Sequence, residues 1–313
     1  MPAFNFLKMT RNTVLKGVIL VALGATSYGM LATFVKMAYS DIGMTGNPFT
    51  PAEVISSQFI LGILAMLFIN LFQKFRKGDT VLKASATHIR QLMLAGTSTG
   101  LTSIFYYLAV KYIPVSIGIV LLMQTVWIGV LLEIVLEKKK PSLVKIIAVI
   151  IVLCGTVLAT NLIQAQQALD WRGVALGLLA AVSFTTTMFT ANSVATTISS
   201  AQRSLYMLLG GACVVFVFAI VTQHTAFNYD IFFKWGIFLA LFGTVIPPLL
   251  MNAGFPYTGI GLGSIVSSLE LPVSVTMAFF LLNEEVVALQ WIGIVMIIGA
   301  IVLMNVNISG NKE

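Results

Sequence analysis

The sequence predicts an all-α integral membrane protein with ten transmembrane helices, arranged as two inverted five-helix repeats, with both termini in the cytoplasm. Three observations lead to this fold class: long apolar segments, an uneven distribution of basic residues and an internal sequence repeat. Of the 313 residues, 58% are apolar and only 9% are charged, whereas soluble domains carry about 25% charged residues. So little charge leaves lipid as the main solvent, and it excludes a disordered chain, which needs high charge and low hydrophobicity.

The apolar segments have the length of membrane helices, because a helix needs about 20 residues to cross the hydrocarbon core. They show no two-residue alternation, so helices are expected to satisfy the backbone groups in lipid. Short gaps between several segments require antiparallel neighbours. The ten predicted spans are 14–37, 51–73, 88–110, 114–136, 143–162, 173–196, 202–222, 233–255, 261–282 and 286–306.

The basic residues set the orientation. With the N-terminus in the cytoplasm, 14 of the 18 basic residues fall on the cytoplasmic side, Arg203 among them. Only Lys36, Lys111, Arg172 and Lys234 fall on the far side, and this asymmetry is typical of the positive-inside rule. The net charge of +7 is therefore interpreted as a topology signal, and nucleic acid is not expected as a partner.

An internal repeat links the two halves of the chain. Lys16–Leu20 (KGVIL) is similar to Arg172–Leu176 (RGVAL), and Gly155–Asn161 (GTVLATN) is similar to Gly299–Asn305 (GAIVLMN). Because each unit contains five spans, an odd number, its two copies must enter the membrane from opposite sides. Inverted repeats of this kind are typical of secondary transporters. The predicted repeats are 14–162 and 172–307.

Three short motifs carry a family resemblance: Pro51-Ala-Glu53, Glu270-Leu-Pro272 and Leu282-Asn-Glu284. With the ten spans and two halves, they make the chain resemble the drug/metabolite transporter superfamily, EamA type. The resemblance implies a helical bundle around a central cavity, peripheral spans five and ten, and outward transport of small metabolites. Two positions depart from this pattern: Gln58 stands where members often have Arg, and Thr125 is aligned with Pro272 of the second half.

These features predict a secondary transporter that moves a small organic solute (an amino acid, a metabolite or a drug-like amine), as an exporter acting by alternating access. It is expected in the plasma or inner membrane as a monomer or homodimer. A passive channel or facilitator, or less readily a membrane-embedded enzyme, is the alternative. No cofactor or metal is expected, because the two cysteines lie in apolar runs and the two histidines lie far apart.

Glu270 is the principal candidate for the substrate site. A charge at the bilayer centre costs about 3 kcal/mol, so this side chain should face the bundle interior or water. Ser267, Glu270 and Ser274 follow helical spacing and predict one polar stripe. Glu270 could bind an amine of the substrate or take up a proton, so proton coupling remains open; alternatively, it bonds a neighbouring helix and locks the bundle.

The other candidates are polar or aromatic residues within predicted spans. Each could instead pack between helices, as small and aromatic residues commonly do in membranes. Glycine pairs at Gly96/Gly100 and Gly259/Gly263 predict helix packing, and Glu133 is expected to pair with the nearby Lys138–Lys140. The further substrate-binding candidates are Gln58, Gln124, Trp127, Tyr28, Tyr107 and Ser183, and the gating candidates are Pro272, Pro247 and Pro248.

Overall fold

The computed structural model describes residues 11–43, 46–77, 82–109, 112–113, 115–138, 140–161, 170–283 and 285–310. Within these ranges the regular secondary structure is helical, apart from one isolated bridge between Ile42 and Pro48. Glu284 of the third family motif lies outside the described residues. The α-helices are α1 (Arg11–Ser40), α2 (Pro51–Lys77), α3 (Ala86–Ala109), α4 (Val115–Leu122), α5 (Thr125–Glu137), α6 (Leu143–Ala159), α7 (Trp171–Ser193), α8 (Ser200–Thr222), α9 (Ile237–Ala240), α10 (Ile246–Ser267), α11 (Glu270–Leu282) and α12 (Ala288–Gly310). Two π-helical segments, Phe232–Gly236 and Leu241–Val245, flank α9.

Among the described residues, six helical stretches are long and apolar enough to cross a membrane. One of them, Phe232–Leu282, has 51 residues, which suffices for two crossings at about 20 residues each. Helix α6 and the described part of α12 are shorter apolar helices. The all-helical membrane class is therefore confirmed, whereas the count of ten spans and the cytoplasmic termini stay predictions.

Helices α2 and α8, the predicted spans two and seven, run antiparallel along each other. Glu53 is buried in the first turn of α2 and accepts hydrogen bonds from Gln223 Nε2 at 3.0 Å and from the Asn228 amide at 2.8 Å. Gln223 lies at the C-terminal end of α8. Near the other end, Asn70 Nδ2 donates to the carbonyl of Ala201, the second residue of α8, at 3.0 Å. Opposite directions of corresponding helices are what an inverted repeat predicts.

The main contacts between helices of the two halves are symmetric: when each helix is replaced by its counterpart in the other half, the same contacts result. Helix α1 packs along α10, and its counterpart α7 packs along α3. The α2–α8 and α6–α12 contacts each join a helix to its own counterpart. Because α6 and α12 pack mainly on each other, they lie at one side of the bundle, as the resemblance implied.

Glycines allow α3 and α8 to approach closely. A Cβ atom on Gly96 would collide with the backbone of Met207, and one on Gly100 would collide with the carbonyl of Gly211. The predicted packing role of Gly96 and Gly100 is therefore confirmed.

Two predicted spans are broken near their centres, at positions 145 residues apart. In predicted span four, the backbone N–H of Gln124 donates to Leu121 O, and the backbone N–H of Val126 donates to Met123 O. In predicted span nine, the backbone N–H of Leu269 donates to Val266 O, and the backbone N–H of Leu271 donates to Ser268 O. The alignment of Thr125 with Pro272 is therefore wrong: Thr125 and Glu270 are the matching first residues of α5 and α11.

Gly259 separates the predicted spans eight and nine. Its φ of 71° and ψ of 174° interrupt the helical geometry inside α10, a conformation that glycine adopts without a Cβ penalty. Nothing lies within 4 Å of a Cβ built at this position. The packing role predicted for Gly259 is wrong, because the residue serves a change of direction in the backbone rather than a close helix contact.

Candidate functional site

A cavity lies between the two halves, enclosed by α1, α3, α7, α8 and α10. Its volume is about 30 Å³, room for about one water molecule, so the bundle has to open before an organic solute can enter. Helices α1 and α3 belong to the first predicted repeat, and α7, α8 and α10 belong to the second. The lining residues are Tyr28, Thr99, Phe184, Thr187, Met188, Ala191, Ser204, Met207, Leu208, Pro248, Met251, Asn252 and Phe255.

One end of the cavity is aromatic and apolar. The rings of Tyr28 and Phe184 meet edge to face, with 5.9 Å between centroids. Met188, Met251 and Phe255 continue this wall and are buried. Such a surface binds apolar groups mainly by removing them from water.

The other end is polar, and some of its hydrogen-bonding capacity is unused. Asn252 Nδ2 donates to Ser204 Oγ at 2.8 Å. Asn252 Oδ1 and Thr99 Oγ1 are both inaccessible to solvent and have no hydrogen-bond partner among the described residues. Because buried polar atoms are normally paired, these two atoms mark positions where a bound molecule can supply the missing partner.

Arg203 binds the backbone carbonyls next to this polar end of the cavity. Its side chain is buried, with 2% of its surface exposed. It donates to Val194 O at 3.0 Å and to Thr190 O at 3.1 Å, and also to the carbonyls of Ala191 and Asn252. These acceptors include the last carbonyls of α7, where a helix carries partial negative charge. Arg203 therefore joins the end of α7 to α10.

Arg203, counted among the cytoplasmic basic residues, lies near the start of α8 with its guanidinium inside the helical bundle rather than in a solvated loop; its side of the membrane stays a prediction. One sequence signal could have indicated this: Arg203 lies within the predicted apolar span 202–222 rather than in a loop. The remaining basic residues still show the asymmetry on which the orientation depends.

Glu270, the first residue of α11, is near the cavity but is not part of its lining. Its Oε2 is inaccessible to solvent and has no hydrogen-bond partner among the described residues. It lies close enough to the hydroxyls of Tyr28 and Tyr106 to interact with them electrostatically. Since Tyr28 lines the cavity, Glu270 adjoins its aromatic end.

The polar stripe predicted for span nine is not continuous. Helix α10 ends at Ser267 and α11 begins at Glu270, so the two residues do not share one regular helix. Ser267 is buried, and its Oγ donates to Gly263 O at 2.8 Å, whereas Ser274 lies on α11 and is partly exposed. A break in the backbone was not expected from the spacing alone.

Four candidates lie away from the cavity, in the first half of the chain. Gln58 is buried beside Gly243, and Tyr107 is buried against Tyr39 with 6.1 Å between ring centroids. Gln124 accepts a hydrogen bond from Trp127 Nε1 at 2.8 Å, and 41% of Trp127 is exposed. The structure therefore does not bring these side chains together with Tyr28 at the cavity.

Ser183 lies at the contact of α7 with α3, where its Oγ donates to Ser98 O at 2.9 Å. Of the proline candidates, Pro248 lines the cavity and Pro247 precedes it in the first turn of α10. Pro272 is buried in the first turn of α11, where the missing amide costs no helical hydrogen bond. The equivalent position of span four is Trp127, so the break does not require a proline.

An ion pair connects α5 to α6. Lys145 Nζ lies 2.6 Å from Glu133 Oε2, and both side chains are mostly buried. Gly261 packs directly against this pair, two residues beyond the turn at Gly259. Glu133 therefore pairs with Lys145 on α6, and Lys139 of the expected run Lys138–Lys140 lies outside the described residues.

The comparisons with known proteins agree with this architecture. The family model described as "EamA-like transporter family" matches twice, over residues 15–161 and 171–306. The chain belongs to the EamA-like transporter family. The resemblance predicted from the sequence motifs is thus confirmed, and this EamA-like protein is a multi-pass membrane protein of a family of small-molecule transporters.

No curated protein matches this EamA-like chain. A solved structure titled "Crystal structure of protein" matches with a TM-score of 0.74 and 14% identity, covering 93% of this chain and 97% of the other. At that identity the likeness extends to the fold alone.

Proposed function

We propose that this EamA-like protein is a secondary transporter that carries a small organic solute by alternating access, with the solute held in the cavity between the two repeats. The observation that carries the proposal is the composition of this cavity, which takes its walls from both halves. The unpaired Oε2 of Glu270 adjoins its aromatic end without lining it. Two similar halves of opposite orientation can form inward-open and outward-open states of comparable energy. Export, and a location in the plasma or inner membrane, are proposed from the family resemblance.

Glu270 has two roles in this proposal, and they remain alternatives. An ammonium group on the solute would pair with its carboxylate beside Tyr28, whose ring face also favours a cation. Alternatively, Glu270 takes up and releases a proton in each cycle, which would couple solute movement to a proton gradient. An acid without a hydrogen-bond partner supports either role better than it supports a lock between helices.

The breaks and the turn supply places where the bundle can bend. The interruptions before α5 and α11 occupy equivalent positions in the two halves, and Gly259 lies where spans eight and nine meet. Movement of short half-helices around a fixed site is an established way to alternate access. The Glu133–Lys145 pair lies against Gly261, two residues beyond the turn at Gly259, and ties α5 to α6 there.

A counterflow assay tests the proposal against a passive channel. Purified protein is reconstituted into liposomes loaded with excess unlabelled solute, and entry of the same labelled solute is followed for L-leucine, L-phenylalanine and phenethylamine. A carrier should accumulate label transiently for at least one class, because the unlabelled solute drives the return step. Uptake with no acceleration by internal solute would favour the channel and contradict the carrier.

A further inference from the structure

We infer that the transported solute has an uncharged hydrogen-bond donor, a hydroxyl or an N–H, on a mainly apolar body, and that Asn252 Oδ1 accepts this donor. The inference rests on the proposed transport function and names the chemical class of its solute. It depends on the polar end of the cavity, whereas the proposed roles of Glu270 depend on the aromatic end.

Asn252 is the strongest indication of a missing partner. Only 3% of its surface is exposed, and its side chain lines the cavity. Its Nδ2 is used by Ser204 Oγ, so the oxygen is left as the unpaired atom. An amide oxygen accepts hydrogen bonds and donates none, so the matching group on the solute must be a donor. Thr99 Oγ1, also unpaired, can take a second polar group on the same molecule.

Arg203 excludes a cation as the partner of Asn252. Its guanidinium donates to the backbone carbonyl of Asn252, so a buried positive charge lies against the main chain of the residue that carries the acceptor. Among the described residues, this guanidinium bonds to backbone carbonyls rather than to carboxylates. An ammonium at Asn252 would meet this charge in a medium of low dielectric, where repulsion is strong. A neutral donor avoids that repulsion.

The apolar body follows from the rest of the lining. The cavity extends along α7 from Phe184, which contacts Tyr28, to Ala191, whose carbonyl contacts Arg203. These two residues lie about 10 Å apart along the helix, at 1.5 Å per residue. Between them the described walls consist mainly of methionine, leucine and phenylalanine side chains. A ring or branched chain with one polar end matches the chemistry of these walls, and it enters when the helices separate, because the cavity of about 30 Å³ is closed around a water-sized space.

Matched probes test the inference in the purified full-length protein. Dissociation constants are measured in detergent by titration calorimetry for two pairs, indole with 1-methylindole and phenol with anisole, in which one member lacks the donor. We expect the donor member to bind about ten-fold more tightly, since an unpaired buried acceptor disfavours binding of the methylated compound. Equal affinities within both pairs, or no binding by any of the four, would overturn the inference.

Variants locate the effect. Asn252→Leu should remove the preference for the donor, and Thr99→Val should weaken binding of phenol and indole while keeping the preference. Thr97→Val is the matched control, because Thr97 lies on the same helix, bonds Leu94 O and does not line this cavity. A preference that persists unchanged in folded Asn252→Leu would overturn the assignment. If Asn252→Leu does not fold, the comparison within each probe pair in the wild type still decides the solute class.

The experiments distinguish failure of the donor inference from failure of the proposed transport function. Equal binding within both pairs would remove the donor inference while counterflow with other solutes could still establish a carrier. Absence of counterflow for every solute, together with a clear donor preference in binding, would remove the transport mechanism and leave the site.

Discussion

Arg203 and Glu270 both place an ionisable group inside the bundle, but they are bound in different ways. Arg203 uses its guanidinium on four backbone carbonyls, whereas Glu270 has a carboxylate oxygen with no partner among the described residues. A buried charge that is fully hydrogen-bonded contributes to structure, because its desolvation is compensated. An unpaired one is retained at a cost to stability, which is typical of a residue under functional constraint.

Replacing Arg203 should destabilise the fold. The Arg203→Met variant leaves carbonyls at the end of α7 and the carbonyl of Asn252 within α10 without this donor, and we expect a loss of about 3 kcal/mol in the free energy of unfolding. Unfolding by SDS in mixed micelles measures it. Arg172→Met is the control, because Arg172 is exposed and its guanidinium lies 6.0 Å from the ring centre of Trp171. Equal stability of the two variants would contradict the structural role of Arg203.

Replacing Glu270 should alter transport more than stability. In Glu270→Gln the amide cannot take up a proton or pair with an ammonium, so the rate should fall about ten-fold or more, or lose its dependence on pH. Counterflow rates between pH 5 and 9 provide the measurement. Glu285→Gln changes an exposed acid outside the helices and serves as the control. Rates identical to wild type at every pH would remove Glu270 from the mechanism.

At the level of elements, the structure depends on where helices are interrupted. Span four and span nine break at equivalent positions with the same hydrogen bonds, although only one has a nearby proline. Gly259 allows the backbone to turn, whereas the glycines between α3 and α8 allow two helices to pack closely. Interruptions of membrane helices are tolerated where protein or water satisfies the backbone, and the cavity lies beside these interruptions.

Gly259 offers a test in which only backbone conformation changes. A Cβ at Gly259 or at Gly299 would meet no atom within 4 Å, but only Gly259 has a positive φ, of 71°. Gly259→Ala should therefore lose about 1–2 kcal/mol of stability, whereas Gly299→Ala in α12 should be neutral or gain up to about 1 kcal/mol. Thermal unfolding in detergent compares them. A stable Gly259→Ala would show that the turn is not required.

A hydrogen-bonded ion pair connects the end of α1 to the chain before α9. Asp41 accepts from Trp235 Nε1 at 2.9 Å and from Lys234 Nζ at 3.2 Å. The Trp235 hydrogen bond, helped by Lys234, lowers the pKa of Asp41 below its usual value of 3.8. Because the folded pKa is lower than the unfolded one, this contribution is present above that value and is lost as pH falls through the folded pKa.

Asp41→Asn should therefore reduce stability at pH 7 by less than about 1 kcal/mol, since the pair is partly exposed. The difference from wild type should shrink as the pH is lowered below 3.8. Melting temperatures of both proteins at pH 7 and pH 3 measure this. A difference of the same size at both pH values would show that the charge of Asp41 does not matter.

For the whole molecule, the direction of α2 relative to α8 bears on the proposed inversion. Helix α2 has 27 residues and is therefore about 40 Å long, enough to cross the bilayer. Its first turn contacts Gln223 and Asn228, and Lys77 is its last residue. Lys77 and the segment around Asp230 should consequently lie on opposite faces of the membrane.

Labelling of single cysteines tests this topology in cells. Cysteines introduced at Lys77 and Asp230, in a chain whose exposed Cys154 and Cys213 are replaced by serine, are treated with a membrane-impermeant maleimide. We expect only the Asp230 position to react from outside, because the positive-inside rule puts Lys77 in the cytoplasm. Labelling of both positions from one side would overturn the inverted topology.

The sequence alone determined the membrane class and the family, and it singled out Glu270 as the principal candidate. Apolar length, charge asymmetry and short motifs are local properties, and the cost of a charge in lipid requires no coordinates to recognise. The tertiary structure decided which side chains meet: it put Tyr28 at the cavity, paired Gln124 with Trp127 away from it, and buried Arg203 against the main chain of Asn252. Periodicity predicts one face of a continuous helix, so it fails where the backbone breaks, as between Ser267 and Glu270. A cavity between two halves depends on contacts between residues far apart in the chain, which only the packed helices bring together.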